Sequence, residues 1–317
     1  MVHQVGGAPE LGEREAPHRS PGTTLIRVGA ASLNPIDLLI SAGRHPAGAP
    51  RVPHVPGIEG VGRVVESDTV PVGTRVRVTV TGGFVDGTLA ELVCAPDAAC
   101  VPVHPTLADD TAASIGVVGV SALIGLRDRA RLARGESVLV LGAAGALGRA
   151  CVQLARHLGA VRVVAAARDA TGRAELADIA DATLPLDEDP AAFSRALAEV
   201  GGAVDVVVDP LWGPYAAVAV ASLAKGGRHL NLGQLAGRQA NVDAERLRHG
   251  ALTLVGHSGS TPAPAQVAAA YREISAVAAE GRLKLPVEVF ALDRVAMAWA
   301  RQAASRGRKV IVRIDSR

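Results

Sequence analysis

Val76, Val78 and Val80 alternate with Arg75, Arg77 and Thr79, the period of a strand with one face buried, and the spacing predicts a strand over 73–83. β-branched and apolar runs predict further strands over 24–33, 57–68 and 88–94, the first ended by Asn34-Pro35. The pattern changes after Pro105. A helical stretch over 112–131 leads to a short apolar strand, 137–141. A helix over 145–158 follows, with Leu147, Cys151, Leu154, Ala155 and Leu158 on one face. Strands are then expected at 161–166, 182–184, 204–208, 227–232 and 252–255. Helices are expected at 174–181, 191–200, 215–223 and 265–281. Apolar strands alternating with helices indicate a parallel sheet covered on both faces. From residue 287 short strands return around a helix over 292–304 and are expected to rejoin the N-terminal β-rich part.

Composition narrows the function. With 49% hydrophobic and 20% charged residues, the chain can bury a core and is not globally disordered. Lys and Arg number 33 against 31 Asp and Glu, so nothing calls for a polyanionic partner. Three Phe, two Tyr and two Trp are too few for a base-stacking platform, and no nucleic-acid partner is expected. The uncharged apolar run 111–126 is short for a bilayer and contains glycines, which favours a buried helix and no membrane role. The first twenty residues hold no apolar signal core. Cys94, Cys100 and Cys151 have no CxxC partner, so a reducing, cytoplasmic setting is expected.

The strongest chemical signal is SVLVLGAAGALGRACVQLARHLGA, 137–160. A buried strand runs into Gly142, Ala143, Ala144, Gly145, Ala146, Leu147 and Gly148 and then into a helix, the context a dinucleotide site requires. Gly142 permits the turn, Gly145 admits a pyrophosphate near the helix N-terminus, and Gly148 allows close packing. At the end of the following strand an NAD site places a carboxylate on the ribose. Here Ala167 stands there, followed by Arg168 and, further on, Arg173, whose planar donors suit a 2′-phosphate. The expected cofactor is NADPH. Asp169 argues the other way if it turns inward.

HVPGIEGVGRVV (54–65), GTRVRV (73–78), Gly119-Val120-Ser121-Ala122, VDVVVDPLWG (204–213), KGGRHLNLG (225–233) and GRKVIV (307–312) occur in an order and spacing that resemble the medium-chain dehydrogenase/reductase superfamily, in its zinc-free quinone oxidoreductase-like branch. The resemblance implies an α/β fold with a Rossmann-type dinucleotide-binding domain, 116–285. It also implies a β-rich GroES-like catalytic domain, 1–115 with 286–317, and a homodimer paired through 252–255. The family's opening strand is mostly missing. Zinc-dependent members carry ligands where this chain has Asn34, ahead of Asp37, and Ile58, between Gly57 and Glu59. Isoleucine ligates no metal and catalytic zinc needs three protein ligands, so no metal is expected.

Without zinc, an enone or quinone is the electrophile that suits hydride transfer, and it needs a donor at its oxygen and a proton. The resemblance puts Asn34 near nicotinamide and substrate, though an Asn-Pro turn explains it equally well. Asp37 is either a proton donor or a helix-start residue. His45 stands where several quinone reductases have a tyrosine, and it is either the proton donor or a loop histidine. Gly233 is expected to let the nicotinamide approach, and Lys309 either reaches the cofactor or is surface charge. Three functions remain open: an NADPH-dependent quinone or enone reductase acting on a small electrophile, a zinc-free reductase or dehydrogenase of specialised metabolism, and a non-catalytic NADPH-binding protein.

Overall fold

In the computed structural model, which describes residues 1–46, 48–80, 86–186, 189–304 and 307–314, the predicted alternation becomes two separate sheets. The chain forms β1 (Thr23–Ser32), α1 (Pro35–Ser41), β2 (Glu59–Glu66), β3 (Arg75–Thr79), β4 (Leu92–Pro96), β5 (Cys100–Pro102) and α2 (Asp109–Ile124), which a π-helical turn prolongs. Next come β6 (Ser137–Val140), α3 (Ala146–His157), β7 (Arg162–Ala167), α4 (Ala170–Ala174), β8 (Ala182–Pro185), α5 (Pro190–Glu199), β9 (Val204–Asp209), α6 (Pro214–Ala221), β10 (Leu223–Asn231), α7 (Ala244–Gly250) and β11 (Thr253–Gly256). The last elements are α8 (Pro264–Ala279), β12 (Val287–Ala291), α9 (Val295–Ala303) and β13 (Lys309–Arg313). The end of the strand predicted over 73–83, residues 81–83, lies outside the described residues.

Two compact units result, Met1–Val117 with Pro262–Arg317 and Val118–Thr261. The first holds a seven-stranded sheet in the order β12-β13-β1-β2-β3-β5, with β4 also paired to β1. Its core joins both ends of the chain, since Ile26, Val64, Val76 and Val78 cluster with Trp299, Val310 and Val312. The second holds the parallel sheet β11-β10-β9-β6-β7-β8. Its strand order turns back between β6 and β9, which is where open α/β sheets take ligands, at the carboxyl ends of the strands.

Helix α8 groups with the first compact unit. Tyr271 on α8 donates from its hydroxyl to the Ala112 carbonyl (3.1 Å), and its ring lies 5.4 Å from the Arg77 guanidinium. Periodicity shows a helix, not the sheet it covers. The helix predicted over 174–181 moves, starting at Ala170, because the Asp169 carboxylate caps it by accepting from the Gly172 amide (2.6 Å).

Inside the first unit Glu59 is 0% exposed and Arg77 is 2% exposed. Arg77 Nε and Nη2 both donate to Glu59 Oε1 (3.0 and 2.9 Å), and the Ser32 hydroxyl donates to Oε2 (2.8 Å). The carboxylate lies directly on α2, where a Cβ at Gly116 would fall 1.7 Å from Oε1. Breaking a buried pair strands an uncompensated charge and costs about 3–5 kcal/mol. Gly116→Ala is therefore expected to destabilise the protein by about that amount, read as a fall in the denaturant midpoint. An unchanged midpoint would show that Glu59 can move aside without penalty.

Candidate functional site

In the second unit, β6 delivers the chain into the glycine turn at the switch point. Gly142 has φ +59°, a left-handed conformation that glycine adopts without strain. Gly148 is pressed onto the turn itself, since a Cβ there would meet Gly142 O at 2.4 Å and Ala143 Cα at 2.6 Å. Gly145 is different, because its added Cβ would meet only Gly142 O, at an ordinary 3.4 Å. Two of the three glycines thus have internal reasons, and the third leaves open space over the start of α3. The first amides of that helix, at Ala146, Leu147 and Gly148, have no carbonyl one turn back inside the helix and favour an anion. These residues fit a dinucleotide pyrophosphate.

The end of β7 carries the residues expected to select the cofactor. Ala167 is buried and offers no side-chain acceptor. Asp169 does not turn inward, because its carboxylate caps α4 through the Gly172 amide. Arg173 holds the strand end, with Nη1 donating to the carbonyls of Ala167 (3.1 Å) and Arg168 (2.7 Å), while Arg168 is exposed. The turn and this segment touch: a Cβ at Gly172 would lie 2.8 Å from the Ala144 Cβ.

Gly233 has a packing reason rather than an opening. A Cβ there would strike the Pro210 carbonyl at 2.6 Å, because the loops after β9 and β10 lie against each other. Ala236 donates its amide to Leu211 O (2.8 Å), and Asn231 Nδ2 donates to Gly233 O (2.8 Å). Sequence reading missed the groups that anchor these loops. Asp209 Oδ1 accepts from the amides of Leu211 (2.7 Å) and Trp212 (2.8 Å). Its other oxygen is 3.1 Å from Nε2 of the fully buried His229 but lacks hydrogen-bonding alignment, and the Trp212 ring packs edge-on to that imidazole. Nothing local pointed to the pairing of Asp209 with His229.

In the first unit the structure brings Asn34, Asp37 and Lys309 together, with Asn34 in the turn and Asp37 at the helix start that were among their expected parts. Asn34 is 1% exposed; its Nδ2 donates to Ser32 O (3.3 Å) and its Oδ1 accepts from Lys309. Asp37 accepts from the amides of Asn34 (2.7 Å) and Ile58 (2.8 Å), closing the start of α1 onto the segment before β2. Burial pushes its carboxyl up to about 6, against the pull of those two amides and of Lys309. Lys309 is neither surface charge nor an outward reach. It is 3% exposed and donates to Leu33 O (3.0 Å), with burial holding its ammonium below the ordinary lysine range. His45, beyond α1, is half-buried, and Arg44 beside it is exposed. A small pocket lined by Asp37, Ser41, His54 and Ile58 lies under α1.

Ile58 donates its backbone amide to Asp37, and Asn34 is bound to Lys309, so neither residue presents a ligand set for zinc. Among the described residues no group of three or more His, Cys, Asp or Glu is placed to hold a metal ion.

Comparison with known proteins agrees with this geometry. Residues 20–105 match the alcohol dehydrogenase GroES-like domain family, and residues 146–276 match the family described as zinc-binding dehydrogenase. The quinone oxidoreductase of Thermus thermophilus, solved also in complex with NADPH, is 30% identical with a TM-score of 0.79, over 99% of this chain and 98% of that one. The chain belongs to the medium-chain dehydrogenase/reductase superfamily. Its place in that superfamily is the zinc-free, quinone-oxidoreductase-like branch, with a GroES-like β-rich unit and a Rossmann-type unit. An NAD-dependent alcohol dehydrogenase shares the fold at 24% identity and a TM-score of 0.87, over 99% of this chain and 98% of that one. The polyketide synthase GfsB of Streptomyces halstedii is 40% identical over 219 residues, 67% of this chain but 4% of that protein. A quinone oxidoreductase-like protein 2 homolog of Nematostella vectensis is 34% identical over 170 residues, 51% of this chain and 45% of that one. The chain thus spans a small share of the polyketide synthase and less than half of the Nematostella protein.

Proposed function

We propose that this dehydrogenase/reductase uses NADPH to reduce a conjugated carbonyl, an enone or a quinone, without a metal ion. The observation that carries the reading is the open face at Gly145 between two glycines packed for internal reasons. The Thermus thermophilus quinone oxidoreductase, solved with NADPH, supports the same cofactor. When bound, NADPH supplies hydride to the electron-poor carbon. The chain's own residues then have to bind the nucleotide, meet the charge on the conjugated oxygen and deliver one proton. Asn34 and Asp37 hold the loop at α1 through their hydrogen bonds. We assign the proton to His45, since an imidazole is the side chain suited to proton transfer near neutral pH.

The similarity to polyketide synthases supports a substrate from specialised metabolism. The three cysteines are free, which supports a reducing, cytoplasmic setting. β11 is the edge strand of its sheet and exposes Leu254, which supports a homodimer formed by edge pairing across a two-fold axis. Light scattering at micromolar concentration is expected to give the dimer mass; a monomer mass would reject this assembly.

Cofactor choice is the direct test of the reading. With Ala167 in place of a carboxylate and Asp169 occupied as a cap, wild type is expected to bind NADPH tighter than NADH in a fluorescence titration. Arg168→Ala should weaken NADPH by roughly tenfold, the equivalent of one charge-assisted contact, and leave NADH nearly unchanged. Equal affinity of wild type for both cofactors would overturn the phosphate-site assignment. For the proton donor, His45→Gln is expected to lower kcat by ~10²–10⁴-fold with little change in NADPH affinity. An unchanged kcat would return His45 to the loop surface.

A further inference from the structure

Arg149 lies on α3 just beyond the glycine turn, is 6% exposed, and has no part in the site as described so far. Its Nε donates to the Ala144 carbonyl (3.1 Å), inside the turn. Its Nη2 donates to the Glu175 carboxylate, which immediately follows α4. The peptide between Ala144 and Gly145 is therefore held at both ends, by Arg149 on the carbonyl and by Gly142 O on the Gly145 amide (3.1 Å). The other end of the guanidinium holds the segment that Asp169 caps and that bears Arg173. Ala144 and Gly172 are already in contact across this gap.

We propose that Arg149 is a positioning residue that ties the pyrophosphate turn to the 168–175 segment, so that the two phosphate subsites of the dinucleotide site hold each other in place. The inference rests on the NADPH reading above. Arg149 acts in two ways. It fixes the backbone of the turn through Ala144, and through the Glu175 carboxylate it holds the segment bearing Arg173, whose Nη1 is bonded to the carbonyls of Ala167 and Arg168. A planar guanidinium suits both bonds at once, and a lysine could keep one of them.

The test is a double-mutant cycle in the full chain. Wild type, Arg149→Met, Arg173→Ala and the double variant are titrated with NADPH and with NADH, and the thermal midpoint of each is measured without nucleotide. Arg149→Met is expected to weaken NADPH by roughly tenfold, to weaken NADH less, and so to shrink the preference. Arg173→Ala should then cost much less in the Arg149→Met background than in wild type. A lowered thermal midpoint with the NADPH-to-NADH ratio intact would reduce Arg149 to a stability role and overturn the proposal, as would fully independent effects of the two substitutions. If Arg149→Met does not fold, Arg149→Lys retains the buried charge and is expected to show a smaller loss of preference; a wild-type ratio in that variant overturns the proposal. A wild-type protein that binds neither dinucleotide would instead defeat the NADPH reading itself.

Discussion

Glu59 carries its charge into the interior of a β-sheet, and the first unit is organised around keeping that charge company. A carboxylate removed from water costs several kcal/mol unless it is paired and hydrogen-bonded. Arg77 on β3 gives two bonds to one oxygen, and Ser32 at the end of β1 supplies the other. The Tyr271 ring faces the guanidinium from α8, and Gly116 brings the α2 backbone against the carboxylate. Lys309 and Asp37 extend the same buried cluster through Asn34 to the start of α1 and to β13. Residues far apart in the chain meet here because each satisfies a polar group another has left without water.

Much of the architecture was visible as periodicity. The alternation around Val76 and the apolar runs at 137–141 and 204–208 placed β3, β6 and β9 close to where they occur. The missed elements have physical explanations. Asn34-Pro35 ended a strand, but it also opens α1, since proline is suited to the first helical position. Helix α7 lacks an apolar stripe and is set by Asp243, whose carboxylate accepts from the amides of Glu245 and Arg246. The side on which α8 packs depends on a bond between Tyr271 and Ala112, partners too distant in sequence for any local pattern to reveal.

The candidate site was legible to the extent that it is local. The glycine turn with Ala144, Ala146 and Leu147 is contiguous, and its geometry follows from strand, turn and helix. Asn34, Asp37 and Lys309 were recognisable as chemically capable groups, but capability does not reveal burial. Only the fold shows that they bind one another. Arg149, Glu175, Asp209 and His229 escaped for the related reason that each acts through a partner on another element.

Strand β7 runs Arg162, Val163, Val164, Ala165, Ala166, Ala167, and everything after Arg162 in it is buried. A buried strand of small side chains lets the covering helices approach closely, and it suits a chain with so few aromatic rings. Its tolerance to change is consequently lopsided. Little can be trimmed from an alanine, while an added methylene has nowhere to go and displaces backbone at a cost of typically ~1–3 kcal/mol. Variation along this strand is constrained from above in volume rather than from below. The strand also leads to the residues that choose the nucleotide, so the same crowding keeps the register of Arg168 and Arg173 from drifting.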